Sequence, residues 1–362
     1  MTDAPETLRA GAVTLDDVAR EAGVSLATAS RALNGSTRKV ADSYRARVEA
    51  AATRLGYTAN LSAQATARGT SAIIALLVAD IADPYFGQIA SGVARGADEA
   101  GLVVTVAITE RDPEREVRLV RALRGQRPRG LILAASRSSS ELSRELGAEI
   151  DMLAAAGGRV VALGGAGGGL GGAGGGLGGA GGGLGGVRSV TVDNRGGAQA
   201  LGAALTDRGY RRALVLAAAE GTVTSDDRVG GFVAGFTEGG GAEPAVLRGT
   251  FTRESGYELM TRALADGVES GTVVFGISDV VAIGALAALR EAGREVGADI
   301  ALAGFDDIPT GRDVTPALTT VRIPLDELGY LAFHAATDAE WQPAADALRL
   351  EVLVRESTPA RS

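Results

Sequence analysis

Apolar positions in this chain change their spacing after about seventy residues. From Leu15 they recur at three- and four-residue intervals through Val18, Ala19 and Ala22, the period of an amphipathic helix. Thr14 stands where an N-cap belongs, Asp16 and Asp17 occupy the first turn, where the helix dipole favours acid, and Gly23 supplies a stop. Ser25 opens a second short helix that ends at Asn34-Gly35. Its inward positions are Val24, Ala29 and Leu33, and its outward face carries Ser25, Leu26, Ala27, Thr28, Ser30, Arg31 and Asn34. A third helix is predicted over 42–55, with Tyr44, Val48, Ala51, Ala52 and Leu55 on its buried side. Three short helices with a tight turn between the first two make an all-α helix-turn-helix head.

From Ser71 the pattern becomes continuous apolar runs alternating with helical ones. Strands are expected at 73–79, 103–107, 130–134, 187–192, 213–217, 272–276 and 300–303, with a last strand-like run at 349–355. Helices are expected at 84–100, 114–123, 196–208, 280–292 and 325–336. This alternation predicts α/β lobes built on doubly wound parallel sheets, with ligands taken beyond the carboxyl ends of the strands, in the cleft between two lobes.

Net charge is −8, which taken whole argues against a nucleic-acid partner. Its distribution reverses that reading: residues 1–70 hold nine Lys and Arg against seven Asp and Glu, so the excess acid lies in the body. A mildly basic head on an acidic body suits a reader of duplex DNA. There is no cysteine and a single histidine, His334, so disulfides and thiolate chemistry are excluded and a His-based triad or metal site has little to build on. No cofactor and no enzymatic activity are expected. The start of the chain lacks a basic segment followed by an apolar one, and no long Gly-poor apolar run occurs, so a cytoplasmic location with no membrane span is expected.

The run Thr14-Leu-Asp-Asp-Val-Ala-Arg-Glu-Ala-Gly-Val-Ser-Leu-Ala-Thr-Ala-Ser-Arg-Ala-Leu-Asn34, with Val48-Glu-Ala-Ala-Ala-Thr-Arg-Leu-Gly-Tyr57, resembles the head of the LacI/GalR family of bacterial regulators. The resemblance implies a ligand-responsive transcription regulator acting as a repressor. Such a regulator is a homodimer reading a pseudo-palindromic double-stranded operator, with a periplasmic-binding-protein-like body that takes a sugar or sugar derivative. It places Leu26 and Ala27 against bases, with Thr14, Ser25, Thr28, Ser30, Arg31 and Asn34 fixing bases or phosphates; from the residues alone that polar face could equally be a solvated one. Residues 58–70 match the family's hinge, which adds Asn60, Ala63 and Thr66 to the DNA contacts. Thr66 stands where a leucine usually wedges into the minor groove, and Ala59 where proline is common, so weaker unstacking of the base step is expected.

In the body, the resemblance assigns Tyr85 and Phe86 of Asp83-Pro-Tyr-Phe, Arg228 and Asp279 to the effector pocket. Alternatives stand for each: Asp279 as a helix cap, Arg228 as a surface ion pair, Tyr85 and Phe86 as core. Gly304-Phe-Asp-Asp-Ile308 and Pro316–Val321 are read as structural crossovers between lobes, and Asp193-Asn194 as a helix cap. The expected organisation is a head at 1–57, the hinge, a first lobe at 71–163 with about 306–336, and a second at 187–305 with about 337–362. Between the lobes, residues 164–186 hold three copies of Gly-Gly-Ala-Gly-Gly-Gly-Leu and a final Gly-Gly. No Lys-Ser/Thr follows, as a phosphate-binding loop would require, so a flexible insertion is expected. The other reading of the whole chain is a solute-binding protein of the periplasmic type with no DNA function.

Overall fold

The computed structural model describes residues 13–34, 40–58, 71–135, 144–165, 187–342 and 348–361. It divides into two units, residues 1–68 and 69–362.

The first unit contains α1 (Leu15–Ala22), α2 (Leu26–Asn34) and α3 (Asp42–Leu55). Thr14 caps α1 in a capping box: Asp17 N–H donates to the Thr14 hydroxyl, while Asp17 Oδ2 accepts from Thr14 N at 2.9 Å. Gly23 at φ 62° ends α1 in the left-handed conformation that spares glycine a Cβ clash. Arg47 of α3 then donates to the Ala22 carbonyl, satisfying one of the orphaned acceptors at that helix end. Val18, Ala19, Ala22, Ala29, Val48 and Ala51 form the small core. Tyr44, expected inside, is instead 46% exposed, because position 44 on α3 faces the amino end of α2 across a depression rather than the core.

In the second unit the first sheet is fully parallel, in the order β2 (Val103–Ile108), β1 (Ile73–Val78), β3 (Gly130–Leu133), β4 (Arg159–Gly165), β5 (Val187–Val192). Alternation along β1 splits its side chains between two cores. Ile74, Leu76 and Val78 face α4 (Pro84–Glu99) and α12 (Leu325–Thr337); Ala75 and Leu77 face α5 (Pro113–Gly125) and α6 (Arg144–Ala155). The second sheet is also parallel, in the order β7 (Ala245–Gly249), β6 (Ala213–Ala218), β8 (Val273–Gly276), β9 (Ala301–Ala303). Its helices pair as α7 (Asn194–Asp207) with α8 (Val223–Glu238), and α9 (Arg253–Ala265) with α10 (Asp279–Glu291). A short α11 (Thr310–Asp313) precedes β10 (Thr320–Arg322), which pairs antiparallel with β11 (Glu351–Leu353).

Two expected boundaries move. Residues 187–192 belong to the first sheet, since β5 hydrogen-bonds β4 from Val160↔Val187 to Gly165↔Val192, so the chain first crosses at Asp193. Residues 306–322 do not return to the first lobe. Ala303 and Thr319 form a parallel bridge and β10 pairs with β11, so the return begins at α12.

Glycine does specific work in the helix pairs. A Cβ at Gly92 of α4 would lie 1.8 Å from the Asp326 carbonyl, and one at Gly329 of α12 would lie 2.1 Å from that of Ile89. A similar close approach sets Gly231 and Gly235 of α8 against the Arg195 and Gln199 carbonyls of α7, at 2.1 and 2.0 Å, and the reciprocal form recurs between Gly256 of α9 and Gly284 of α10, each against the other's helix. Backbones approach too closely there for any side chain. Gly235→Ala is therefore expected to destabilise the body by about 2–3 kcal/mol through overpacking. Gly87→Ala, in the open on α4 with nothing within 4 Å, is expected to stabilise it by about 0.5–1 kcal/mol through helix propensity. Urea unfolding of both variants checks the opposite signs.

Candidate functional site

Two surfaces carry chemistry. On the head, Leu26 begins α2 and is 50% exposed, flanked by exposed Ser25 and Ala27. Ser25 accepts from Thr28 N–H, and the two hydroxyls lie 2.8 Å apart. Arg31 is exposed and Ser30 half-buried. Ser25, Thr28 and Arg31 share a depression with Val40, Ala41 and Tyr44, where the amino ends of α2 and α3 converge. Among the described residues no side chain caps the first amides of α3. Hydroxyls, one guanidinium and two helix amino ends in one concavity match what a phosphate backbone requires. The hydroxyl of Thr14 is engaged in capping α1, 2.6 Å from Asp17 Oδ2. The side chain of Asn34, and Asn60, Ala63 and Thr66, lie outside the described residues, as does nearly all of the hinge and the glycine repeat.

In the body, loops at the carboxyl ends of both sheets meet around one small cavity. Asp83, Tyr85 and Phe86 follow β1 and Arg111 follows β2. From the other lobe come Thr224 and Arg228 on α8, then Phe251, Ser278 and Asp306 after β7, β8 and β9. The cavity is about 30 Å3, room for a water or two and far below the several hundred Å3 of a small-molecule site. This is the closed arrangement of the lobes. Arg111 closes it: its Nη2 donates to the Phe251 carbonyl at 3.2 Å, and its guanidinium lies 5.4 Å from the centre of that ring. Glu110 and Arg111 take φ 54° and 57°, left-handed backbone that turns this arginine into the cleft.

Arg228 is no surface ion pair, being only 2% exposed. Its Nε donates to Asn194 Oδ1 at 2.9 Å and its Nη1 to the Ile277 carbonyl at 2.7 Å, with the guanidinium 4.0 Å from the Phe305 ring centre. Of the pair Asp193-Asn194 read as a cap, Asp193 caps α7 while Asn194 orients Arg228. Asp306 Oδ1 lies 2.9 Å from Arg228 Nη2, a buried ion pair. Burial pushes the Asp306 carboxyl up to about 7 despite Arg228, with Asp83 adding to the rise. Burial raises Asp83 as well.

Tyr85, Phe86 and Arg228 thus line one cavity, and Asp279 does not. It is fully buried outside the cavity lining, and Ser278 caps α10 in its place. Its Oδ2 accepts from Ile308 N–H at 2.9 Å and its Oδ1 from the Thr320 hydroxyl at 2.7 Å, tying α10 to two crossover segments. Burial, with Asp306 nearby, holds its carboxyl well above the usual range. Asp307 completes the crossover: Arg312, Arg322 and Arg355 donate to it, outweighing burial and lowering its pKa. Arg111, Asp306, Thr224 and Phe251 escaped sequence reasoning; only the pair Asp306-Asp307 was singled out, and as structure.

A carboxyl raised on folding binds a proton the unfolded chain has released. Its contribution to stability is therefore complete below about pH 4 and is lost as pH rises through the folded value. Asp279→Asn keeps an acceptor for Ile308 N–H, and its amide N–H can reach the Thr320 oxygen once that hydroxyl, a donor to Asp279 Oδ1 in the native chain, turns to accept, as a protonated carboxyl would also require. It is expected to leave stability at pH 7 nearly unchanged and to flatten the decline between pH 4 and 7. Asp279→Ala strands a buried N–H and hydroxyl and is expected to cost about 2–4 kcal/mol. Urea unfolding across pH checks this, and an amide variant as damaged as the alanine one would mean an ionised Asp279.

Comparison with known proteins follows the same division. Residues 14–60 match the profile of bacterial regulatory proteins of the lacI family, and residues 203–358 that of the periplasmic binding protein-like domain. Over 326 residues the chain is 31% identical to the HTH-type transcriptional regulator GalS of Salmonella typhimurium strain LT2, covering 90% of this chain and 89% of that protein. It is similar to the Lac repressor dimer bound to operator and the anti-inducer ONPF, with TM-score 0.74 and 25% identity over 97% of this chain and 100% of that one. The transcriptional regulator CelR in complex with cellobiose matches with TM-score 0.63 and 28% identity, over 95% and 99% of the two chains.

Proposed function

This chain belongs to the LacI family of bacterial regulatory proteins, and from that premise we propose that it is a repressor whose operator affinity is changed by a sugar-like effector held between the lobes. Its relatives are transcriptional regulators rather than enzymes. The observation that carries the effector reading is the composition of the cleft. Two carboxyls, two guanidiniums, two aliphatic hydroxyls and three aromatic rings, one of them a phenol, come from the carboxyl ends of strands in both lobes. Carboxylates and guanidiniums satisfy hydroxyl donors and acceptors, and ring faces pack on the C–H side of a sugar. Admitting a sugar requires the lobes to part, since the closed cavity holds only water. The family neighbour CelR was solved with cellobiose, which favours the same ligand class.

DNA recognition rests on α2, with Leu26 and Ala27 against bases and Ser25, Thr28, Ser30, Arg31 and Asn34 on bases or phosphates. Residues 58–70 serve as the hinge, adding Asn60, Ala63 and Thr66, while Thr14 acts through its cap. A homodimer fits the body: edge strand β2 exposes Val103 (54%) and Val106, with Ile81 exposed in the loop after β1, which an isolated protomer would leave open to strand pairing. Dimer symmetry then sets the half-site spacing of a pseudo-palindrome. Among the described residues no helix is long and apolar enough to cross a membrane. Solute binding without DNA remains the second reading, and the uncapped, hydroxyl-lined concavity of the head weighs against it.

Selection from a random duplex pool with the purified full chain tests the proposal, followed by a sugar panel on the best duplex. Enrichment of a short inverted repeat, and its release by a sugar, is the expected result. Binding that merely falls with salt, with no sequence enriched, would overturn it.

A further inference from the structure

A well-formed depression of the body lies at the opposite end of the second sheet from the cleft. It opens at the amino ends of β6, β7 and β8, beside the carboxyl end of α9, and encloses about 420 Å3, within the range of small-ligand sites. Leu214, Leu247, Ala263 and Val268 make it mainly apolar. Charge at its rim is one-sided. Arg212 pairs with Glu269 at 3.0 Å, so these two cancel, while Glu243 and Asp266 make no ion pair among the described residues. The last turn of α9 adds the negative end of its dipole on the same side.

A further polar group is waiting inside. Thr272 lines the cavity and is only 6% exposed, yet its hydroxyl takes no hydrogen-bond partner among the described residues. Reached from the open depression rather than sealed from water, this hydroxyl can exchange solvent for a ligand's donor or acceptor.

We propose that this cavity is a second ligand site, taking a small organic cation with an apolar body, such as an arylalkylammonium ion. The ring fills the Leu214–Leu247–Val268 floor, and the ammonium sits between Asp266, Glu243 and the end of α9. The site is separate from the interlobe cleft and does not depend on what that cleft binds.

Calorimetric titration of the full-length protein with tryptammonium, uncharged 3-ethylindole and anionic indole-3-propionate tests it, since the three share a ring and differ in charge. Tryptammonium is expected to bind at least tenfold more tightly than the other two. The double variant Glu243→Gln/Asp266→Asn, both positions exposed, is expected to bring the three within about threefold of each other. Ala245→Trp, on the exposed edge strand, should fill the mouth and abolish binding. Equal affinity for all three probes, no binding of tryptammonium at millimolar concentration, or binding insensitive to both variants would overturn the proposal.

Discussion

Arg228→Met is expected to uncouple effector from operator while weakening the body. Four partners lose their contact at once: Asn194 Oδ1, the Ile277 carbonyl, the Phe305 ring and the Asp306 carboxylate. Methionine matches much of the volume, so the loss is chiefly polar. Removing one member of a buried pair costs about 3–5 kcal/mol, because the survivor is left charged without a partner. Here the survivor has an escape. Asp306 already titrates near 7, and without Arg228 its pKa rises further and it takes a proton. The penalty is therefore largest at pH 8 and shrinks toward pH 5.5, a pH dependence that a simple packing defect would not show. The head's core shares no residue with the body's, so operator binding in the absence of effector should survive. The ratio of operator affinities without and with effector should fall to about one. Unfolding at the two pH values, with operator titrations, checks both halves. A variant that still released its operator on effector addition would remove Arg228 from the effector site.

What the sequence disclosed and what it withheld have physical reasons. The head helices were legible from their apolar period, and α1 also from its own cap and stop, as Val18, Thr14 and Gly23 show. The parallel strands were legible as unbroken apolar runs, which is what burial on both faces produces. By contrast α8 contains Gly230, Gly231 and Gly235, residues that propensity counts against a helix, and its stability comes from the close approach to α7 that those glycines permit. The cleft divides in the same way. Tyr85, Phe86 and Arg228 sit in motifs, whereas Arg111 reaches the cleft through two left-handed residues that no periodicity marks. Asp306 and Asp307 are adjacent and chemically identical in the sequence. Only the fold turns one toward Arg228 and the other toward three crossover arginines. Asp279 sat in the right motif, but its contacts run to Ile308 and Thr320, behind the cavity.

Leu26→Ala is expected to leave the head as stable as before and to weaken operator binding by about tenfold. A half-exposed leucine on α2 contributes little to the fold, since much of its side chain is already in water. Against a base edge such as a thymine methyl, its remaining surface would be covered. Deleting three carbons then forfeits roughly 0.8 kcal/mol for each methylene equivalent newly buried, on the order of 1–2 kcal/mol in all. Arg31→Ala distinguishes two roles for the one exposed guanidinium of α2. A contact to guanine would cost about 1–3 kcal/mol and relax preference at one position of each half-site. A phosphate contact would weaken all duplexes alike and reduce the salt dependence of binding by about one unit of slope. Thermal unfolding of the two variants, with binding to the selected duplex and to single-base variants of it at several salt concentrations, separates these outcomes. Unchanged affinity in both would mean that α2 does not lie against the DNA.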